Sequence, residues 1–319
     1  MNFDVSARLI GIFSPLVLER QKTVRESGAR FVYYTTAHTA VQIIKKREFW
    51  MRSVTTMNDY MEAQHGLRCL QRAYGGEPGK RLRRLLDPHF SNLLTRLEQL
   101  FDQWSPHFLT DTYITCVSEH LPSEDMTGRL SMWRAYGTGV GVALVLNNAP
   151  FLNETDALKA YAVPVSYMNE EAFKVVFSDM VERLSEELVF VRGQGEEVLF
   201  NWLFQTFRYW MVAVKHDGFQ EEREWRVVHS PKYEPSERLA CSVETINGTP
   251  QRIYKIPLQN IPEEGLVGVE IPELIDRVII GPTNFARATA DALALLLQDA
   301  GVKDAERKVV ISDIPLRVS

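Results

Sequence analysis

Residues 31–54, FVYYTTAHTAVQIIKKREFWMRSV, decide the fold class. Phe31 to Thr35 is aromatic and β-branched and reads as a strand. Ala37 to Lys46 sets Ala40, Val41, Ile43 and Ile44 at helical intervals and reads as a short helix, and Phe49 to Val54 reads as a second strand. The alternation then stops. From Tyr60 to about Phe108, apolar residues recur every three or four positions (Leu67, Leu70; Leu82, Leu85, Leu86; Leu93, Leu94, Leu97, Leu100, Phe101), with a break at Gly75-Gly76-Glu77-Pro78-Gly79. A strand pair followed by a long helical block is not the regular strand–helix repeat of a doubly wound sheet.

The same contrast recurs downstream. Thr112–Ser118, Gly139–Leu146 (GVGVALVL) and Tyr161–Tyr167 read as strands, with a helical turn at Leu130–Tyr136. Glu170 to about Lys215 forms a second helical block, broken at Gly193-Gln194-Gly195. Glu224–His229, Arg252–Ile256, Ile275–Ile280 and Lys308–Ser312 return to β, and Ala286–Ala300 is an Ala/Leu-rich helix closed by Gly301. The expectation is an α+β fold: a mixed or split β-sheet core in one domain over residues 1–319, with helical insertions at about 60–108 and 170–215. No Pro- or Ser-rich stretch marks a linker.

Composition narrows the function classes. With 319 residues, 45% hydrophobic and 24% charged, the chain is too ordinary for disorder, collagen or a coiled coil to be its main architecture. A net charge of -5 gives no global attraction to nucleic acid or anionic membrane, and the short basic run Lys80, Arg81, Arg83, Arg84 reads as a solvated helix face. Cys69, Cys116 and Cys241 are odd in number and widely spaced, which fits reduced thiols better than a disulfide framework or a zinc knuckle. Leu9 to Leu18 is apolar, but Asp4, Pro15 and the lack of a small-residue cleavage site make it a poor signal peptide. No run reaches the ~18 apolar residues a membrane span needs. A cytoplasmic protein of bacterial type is expected. P-loop, GxSxG and HExxH motifs are absent. Gly137-Thr138-Gly139-Val140-Gly141 precedes a strand, so it reads as a tight turn allowing close backbone approach instead of a dinucleotide loop.

Four clusters carry candidate chemistry. Tyr33-Tyr34-Thr35-Thr36 sets rings beside hydroxyls, suited either to a flat ligand and its sugar or to an ordinary amphipathic strand. Asn58-Asp59 with Glu62 reads first as helix-capping; a metal site with His65 is the rarer alternative. Trp133 and Tyr136, three apart, can wall a pocket for a planar ring or pack in the core. In Glu222-Arg223-Glu224-Trp225-Arg226, a strand beginning by Glu222 would put both glutamates on one face. Such a pair can hold a ribose hydroxyl and stabilise an oxocarbenium-like centre, or it can be a solvated edge with salt bridges.

Taken in order, Tyr34-Thr35, Asn58-Asp59-Tyr60-Met61-Glu62, Cys116-Val117-Ser118-Glu119, Met132-Trp133-Arg134-Ala135-Tyr136, Gly139-Val140-Gly141-Val142 and Glu222-Arg223-Glu224-Trp225-Arg226 resemble a widespread bacterial family of uncharacterised domains. Ile279-Ile280-Gly281-Pro282 and Ser312-Asp313-Ile314-Pro315 look similar as well. A more distant similarity is to ADP-ribosyltransferases, whose three motifs are a ribose-gripping strand, an aromatic near nicotinamide and a strand with a catalytic Glu. Tyr34-Thr35, then Trp133 and Tyr136, then Glu224 follow that order, and Glu222-x-Glu224 is similar to the Glu-x-Glu of arginine-directed members. The first-motif His or Arg and a Ser-Thr-Ser strand are missing.

That second resemblance implies NAD as the substrate. Glu224 would stabilise the oxocarbenium ion, Glu222 would orient or deprotonate the acceptor, Trp133 or Tyr136 would stack on nicotinamide, and Tyr34 and Thr35 would hold the adenosine side. The acceptor would be a protein or nucleic acid, a regulatory partner protein is a further expectation, and the setting would be a toxin or phage-defence effector. The alternatives are a non-catalytic sensor binding a nucleotide or partner in the same pocket, and a metal-dependent nuclease using Asp59, Glu62 and Glu224.

Overall fold

The computed structural model describes residues 3–56, 60–137, 139–153, 155–246 and 248–315. Its strands are β1 (Arg30–Thr36), β2 (Glu48–Ser53), β3 (Tyr113–His120), β4 (Gly141–Leu146), β5 (Tyr161–Pro164), β6 (Ser166–Tyr167), β7 (Val214–Lys215), β8 (Glu224–His229), β9 (Ala240–Ile246), β10 (Thr249–Pro257), β11 (Ile275–Ile280) and β12 (Val309–Ile311). Its helices are α1 (Phe3–Phe13), α2 (Pro15–Ser27), α3 (Ala37–Lys46), α4 (Tyr60–Gly75), α5 (Glu77–Leu86), α6 (Leu93–Thr110), α7 (Leu130–Tyr136), α8 (Ala149–Leu152), α9 (Glu170–Glu186), α10 (Leu188–Gln194), α11 (Glu196–Ala213), α12 (Ile271–Leu274), α13 (Ala286–Asp299) and α14 (Ala305–Lys308). The fold is mixed α+β. Among the described residues no helix is long and apolar enough to cross a membrane, and no disulfide joins the three cysteines.

The chain packs into two units, each drawn from three separated segments. One comprises Thr23–Arg52, Tyr113–Ala162 and Glu222–Ser319 and carries the large sheet, whose strand order is β12-β11-β4-β1-β3-β2-β10-β9 with β8 also on β3. β4 (GVALVL) is buried at every position, as its unbroken apolar run requires of a strand covered on both faces. It pairs with β1 over six residues, from Phe31 opposite Leu146 to Thr36 opposite Gly141. β3 has three neighbours. β8 takes one edge, running from Tyr113 opposite His229 to Ser118 opposite Glu224. β1 takes only the last part of the other edge, Ser118 to His120, which leaves the preceding part to β2. β1 and β2, joined by α3, therefore leave the same edge of β3 one after the other, and the sheet splits between them.

The other unit comprises Met1–Lys22, Ser53–Thr112 and Val163–Glu221, and is mainly helical. It contains both predicted insertions: α4–α6 and α9–α11. Phe177 of α9 sits at its centre, fully buried, with ring centroids 5.5 Å from Trp210 and 6.0 Å from Phe207 of α11. α5 meets the end of α4 backbone to backbone: a Cβ on Gly79 would lie 1.7 Å from the Tyr74 carbonyl oxygen, so only glycine fits. The apolar stretch at Leu9–Leu18 is spent on packing here. Leu9, Ile12 and Phe13 are buried, Phe13 stacks on Trp202 at 5.8 Å, and Pro15 starts α2.

One expectation is corrected, and one strand goes beyond what was expected. The strand expected over Tyr161–Tyr167 is two, because Pro164 lacks the N–H a continuous ladder needs; β6 instead pairs in parallel with β7. β9 is not evident in the sequence. As the terminal strand of the sheet it is mostly exposed, and Ser242 and Glu244 interrupt its apolar pattern.

Replacing Phe177 by Ala removes the ring that α9 and α11 share. The expected loss is about 3–5 kcal/mol of stability, read as a lower urea midpoint at unchanged slope.

Candidate functional site

The register of β1, β3 and β8 assigns the faces. Ser118 pairs with Val32 on one side and Glu224 on the other, so these three share a face, with Arg226 and Tyr34 two residues further along their strands. Phe31, Val117, Glu119 and Trp225 point to the opposite face. On the first face Tyr34 packs with Val32, Met132, Trp133, Ala143, Val145 and Ile279. The structure thus brings Tyr34, Trp133 and Glu224 to one side of one sheet. Thr35 follows Tyr34 directly and faces the other way, so the two do not hold one ligand together as expected.

Glu224 opens β8 and is only 5% exposed; Arg226 is 1% exposed. Arg226 Nε donates to Glu224 Oε1 at 2.7 Å and its Nη2 to Oε2 at 3.4 Å, a forked guanidinium–carboxylate pair within one strand. Just before it, Arg223 has φ 47°, in the left-handed region that costs a non-glycine residue ~1–2 kcal/mol. Its carbonyl accepts from Glu119 N at 2.9 Å, and its guanidinium pairs with Glu124. This kink corrects the expected Glu-x-Glu face. Glu222 is half-buried and ends a 3-10 turn that runs from Asp217, so only Glu224 is on the strand.

The loop between β3 and α7 ties onto this edge. Arg129 donates its backbone N–H to the Tyr34 hydroxyl at 2.8 Å and Nη2 to the Glu119 carbonyl at 3.1 Å; its Nε lies 3.4 Å from Glu124. Glu124 Oε2 accepts from Leu121 N at 2.9 Å. Trp225 Nε1 donates to Glu119 Oε1 at 2.8 Å on the opposite face. His120, with no solvent exposure, lies 3.0 Å from Asp125, which also receives Arg30 and lies 3.7 Å from Arg277; Arg30 reaches Asp276 as well. Burial holds the His120 imidazole below the usual histidine range, against the raising pull of Asp125 and Glu124. Burial likewise raises the Tyr34 phenol, partly offset by Arg129.

Trp133 is enclosed. Its Nε1 donates to the Thr127 carbonyl at 2.9 Å, and Tyr34 meets it edge-on at 4.9 Å. A Cβ on Gly128 would sit 2.8 Å from the indole, and one on Gly281 2.9 Å. The ring therefore fills its own slot, with Gly141 closing a third side, and offers no open face for stacking; of the glycines anticipated as a close-approach turn, Gly141 approaches this indole, Gly137 meets the Trp133 backbone and Gly139 has no such neighbour. Tyr136, at 41% exposure, does present a ring surface.

Asn58 and Asp59 lie outside the described residues, as does the side chain of Glu62. His65 is a core histidine of the helical unit, 2.9 Å from the Met168 carbonyl. No group of three His, Cys, Asp or Glu among the described residues is arranged for a metal. Sequence reasoning missed Glu124, Asp125, Arg129 and the role of Glu119. The available signal was an apolar strand, Tyr113–Val117, closing on Ser118-Glu119-His120, polar residues that stay buried and so need partners.

The family model described as "Protein of unknown function (DUF2971)" matches residues 132–227, from Met132 of α7 to Val227 of β8. No curated protein and no solved structure matches the chain.

Arg226→Met removes the guanidinium fork from the buried Glu224 carboxylate and is expected to cost about 3–5 kcal/mol, most of it recovered in the Glu224→Gln/Arg226→Met double variant; thermal unfolding of wild type and the two variants checks this. His120 gives a pH effect of defined sign. Its folded value is depressed, so below about pH 6.5 the unfolded chain takes up a proton that the folded chain resists, and stability falls with pH. Between pH ~7 and ~5, His120→Asn is expected to lose less stability than wild type, measured by urea midpoints across that range.

Proposed function

We propose that the chain consumes NAD, as an ADP-ribosyltransferase-like enzyme or an NAD glycohydrolase, with Glu224 as the catalytic carboxylate. The observation that carries this reading is the setting of Glu224: a buried carboxylate behind a strained residue, on the sheet face that holds Tyr34, at the end of β8 beside the split. Strain of this kind persists where the surroundings over-determine it, and it clusters at working sites.

The chemistry follows from the charge that develops. As the C1′–nitrogen bond breaks, nicotinamide leaves with the bonding pair and C1′ becomes oxocarbenium-like. Glu224 accepts a hydrogen bond from the nicotinamide ribose and stabilises that positive charge, while the Arg226 fork fixes the carboxylate's orientation. A nucleophile, from a protein, a nucleic acid or water, then attacks C1′ and gives up its proton. Glu222, outside the strand and half-buried, takes it. Tyr136 replaces Trp133 as the ring for nicotinamide, because its surface is exposed. Tyr34 walls the site, and Thr35 has no part. A cytoplasmic effector in toxicity or phage defence, held in check by a partner protein, is the setting this activity fits.

A second reading is favoured by one observation. Arg226 reaches both oxygens of Glu224, which suits a site that recognises a nucleotide without turning it over. Incubation with NAD separates the two. Nicotinamide release by wild type, reduced ~100–1,000-fold in Glu224→Gln, supports the enzyme. Binding of NAD without release supports the sensor, and neither binding nor release sinks both.

A further inference from the structure

The helical unit holds a cavity of about 200 Å³ among α4, α6 and α11 that the proposed activity does not use. An apolar cavity of roughly 150 Å³ is already enough to hold benzene, so this one admits a small organic molecule. Its walls include Leu70, Tyr74, Phe101 and Phe207. Tyr74 and Phe101 both stand nearly perpendicular to Phe207, at 77° and 84°, with centroids 5.7 and 6.2 Å away. Rings set at right angles to one another cannot all turn their electron-poor edges to one void, and an electron-rich ring face is what receives an alkylated ammonium group.

The charges at the mouth agree. Glu98 and Asp102 are one turn apart on α6 and both border the cavity. Glu98 is already committed: it accepts from Tyr74 Oη at 2.7 Å and pairs with Arg83. Arg83 stacks on Tyr74, 5.3 Å from the ring centroid, and is not part of the cavity wall. Asp102 makes no ion pair or hydrogen bond among the described residues, which leaves one uncompensated negative charge at the opening of an aromatic box.

We infer that this cavity is a binding site for a small alkylammonium cation, with the cation's methyl or methylene groups against Tyr74, Phe101 and Phe207 and its charge turned towards Asp102. A simple packing void would prefer a neutral molecule of the same shape, since only the cage and the carboxylate distinguish charge. The inference stands apart from the NAD reading, because it concerns a different set of residues.

The experiment titrates the full chain with choline and with its neutral isostere 3,3-dimethylbutan-1-ol, followed by calorimetry. Choline is expected to bind at least roughly tenfold more tightly than the alcohol, to weaken roughly tenfold in Phe101→Leu, and to weaken several-fold in Asp102→Asn. Asp102 is exposed, so that variant folds as wild type does, and circular dichroism verifies both. Equal affinity for the two probes, no binding of choline at millimolar concentration, or choline binding unaltered by both substitutions overturns the inference.

Discussion

β3 has two edges and three neighbours, and the arrangement of the sheet unit follows from how they are shared. Ser118 is in register with both Val32 and Glu224. Before it, the edge belongs to β2; from it onward, to β1. A strand can change partners along one edge only if those partners diverge, so β1 and β2 separate and α3 fills the connection. The same junction is where the strand runs out of apolar residues and becomes Ser118-Glu119-His120. Polar side chains thus enter the sheet at the place where its backbone pairing is being handed over.

Charges placed there cannot be left unpartnered, because a buried ion that loses its counter-ion costs far more than a surface one. The response is local. Arg226 comes from the same strand as Glu224, Arg129 and Glu124 from the loop that follows β3, and Arg223 from the turn that precedes β8. The left-handed kink at Arg223 is part of that solution, since it turns one guanidinium to Glu124 while the strand delivers the next, three residues later, to Glu224. Geometry is bought at this edge with backbone strain.

The elements were far more legible than the site. Ala37–Lys46, Leu130–Tyr136, Glu224–His229 and Ile275–Ile280 coincide with observed elements because each has a clean apolar period and a sharp polar boundary. Glu224 and Tyr34 could be singled out for the same reason: a charge or a phenol at the end of an apolar strand stands out. Their neighbours could not. Nothing local distinguishes Arg129 from other arginines; its role depends on the loop folding back onto Tyr34. Alternation is also a stricter rule than motif reading, and it separates Tyr34 from Thr35. The division into two units was equally hidden, since it falls inside α2, at the end of β2 and within β5, where no linker composition exists.

That interleaving bears on how the chain is made. It passes from one unit to the other at residues 22–23, 52–53, 112–113, 162–163 and 221–222. Neither unit is a contiguous stretch, so the usual order of synthesis, with an N-terminal domain finished before the next emerges, is closed to this protein. α4–α6 leave the ribosome with their apolar faces uncovered until α9–α11 arrive, and β1 must wait for β4. Both cores are therefore completed late, after long loops have been closed, which makes folding slow. It also makes the nascent chain dependent on whatever shields those surfaces in the interval.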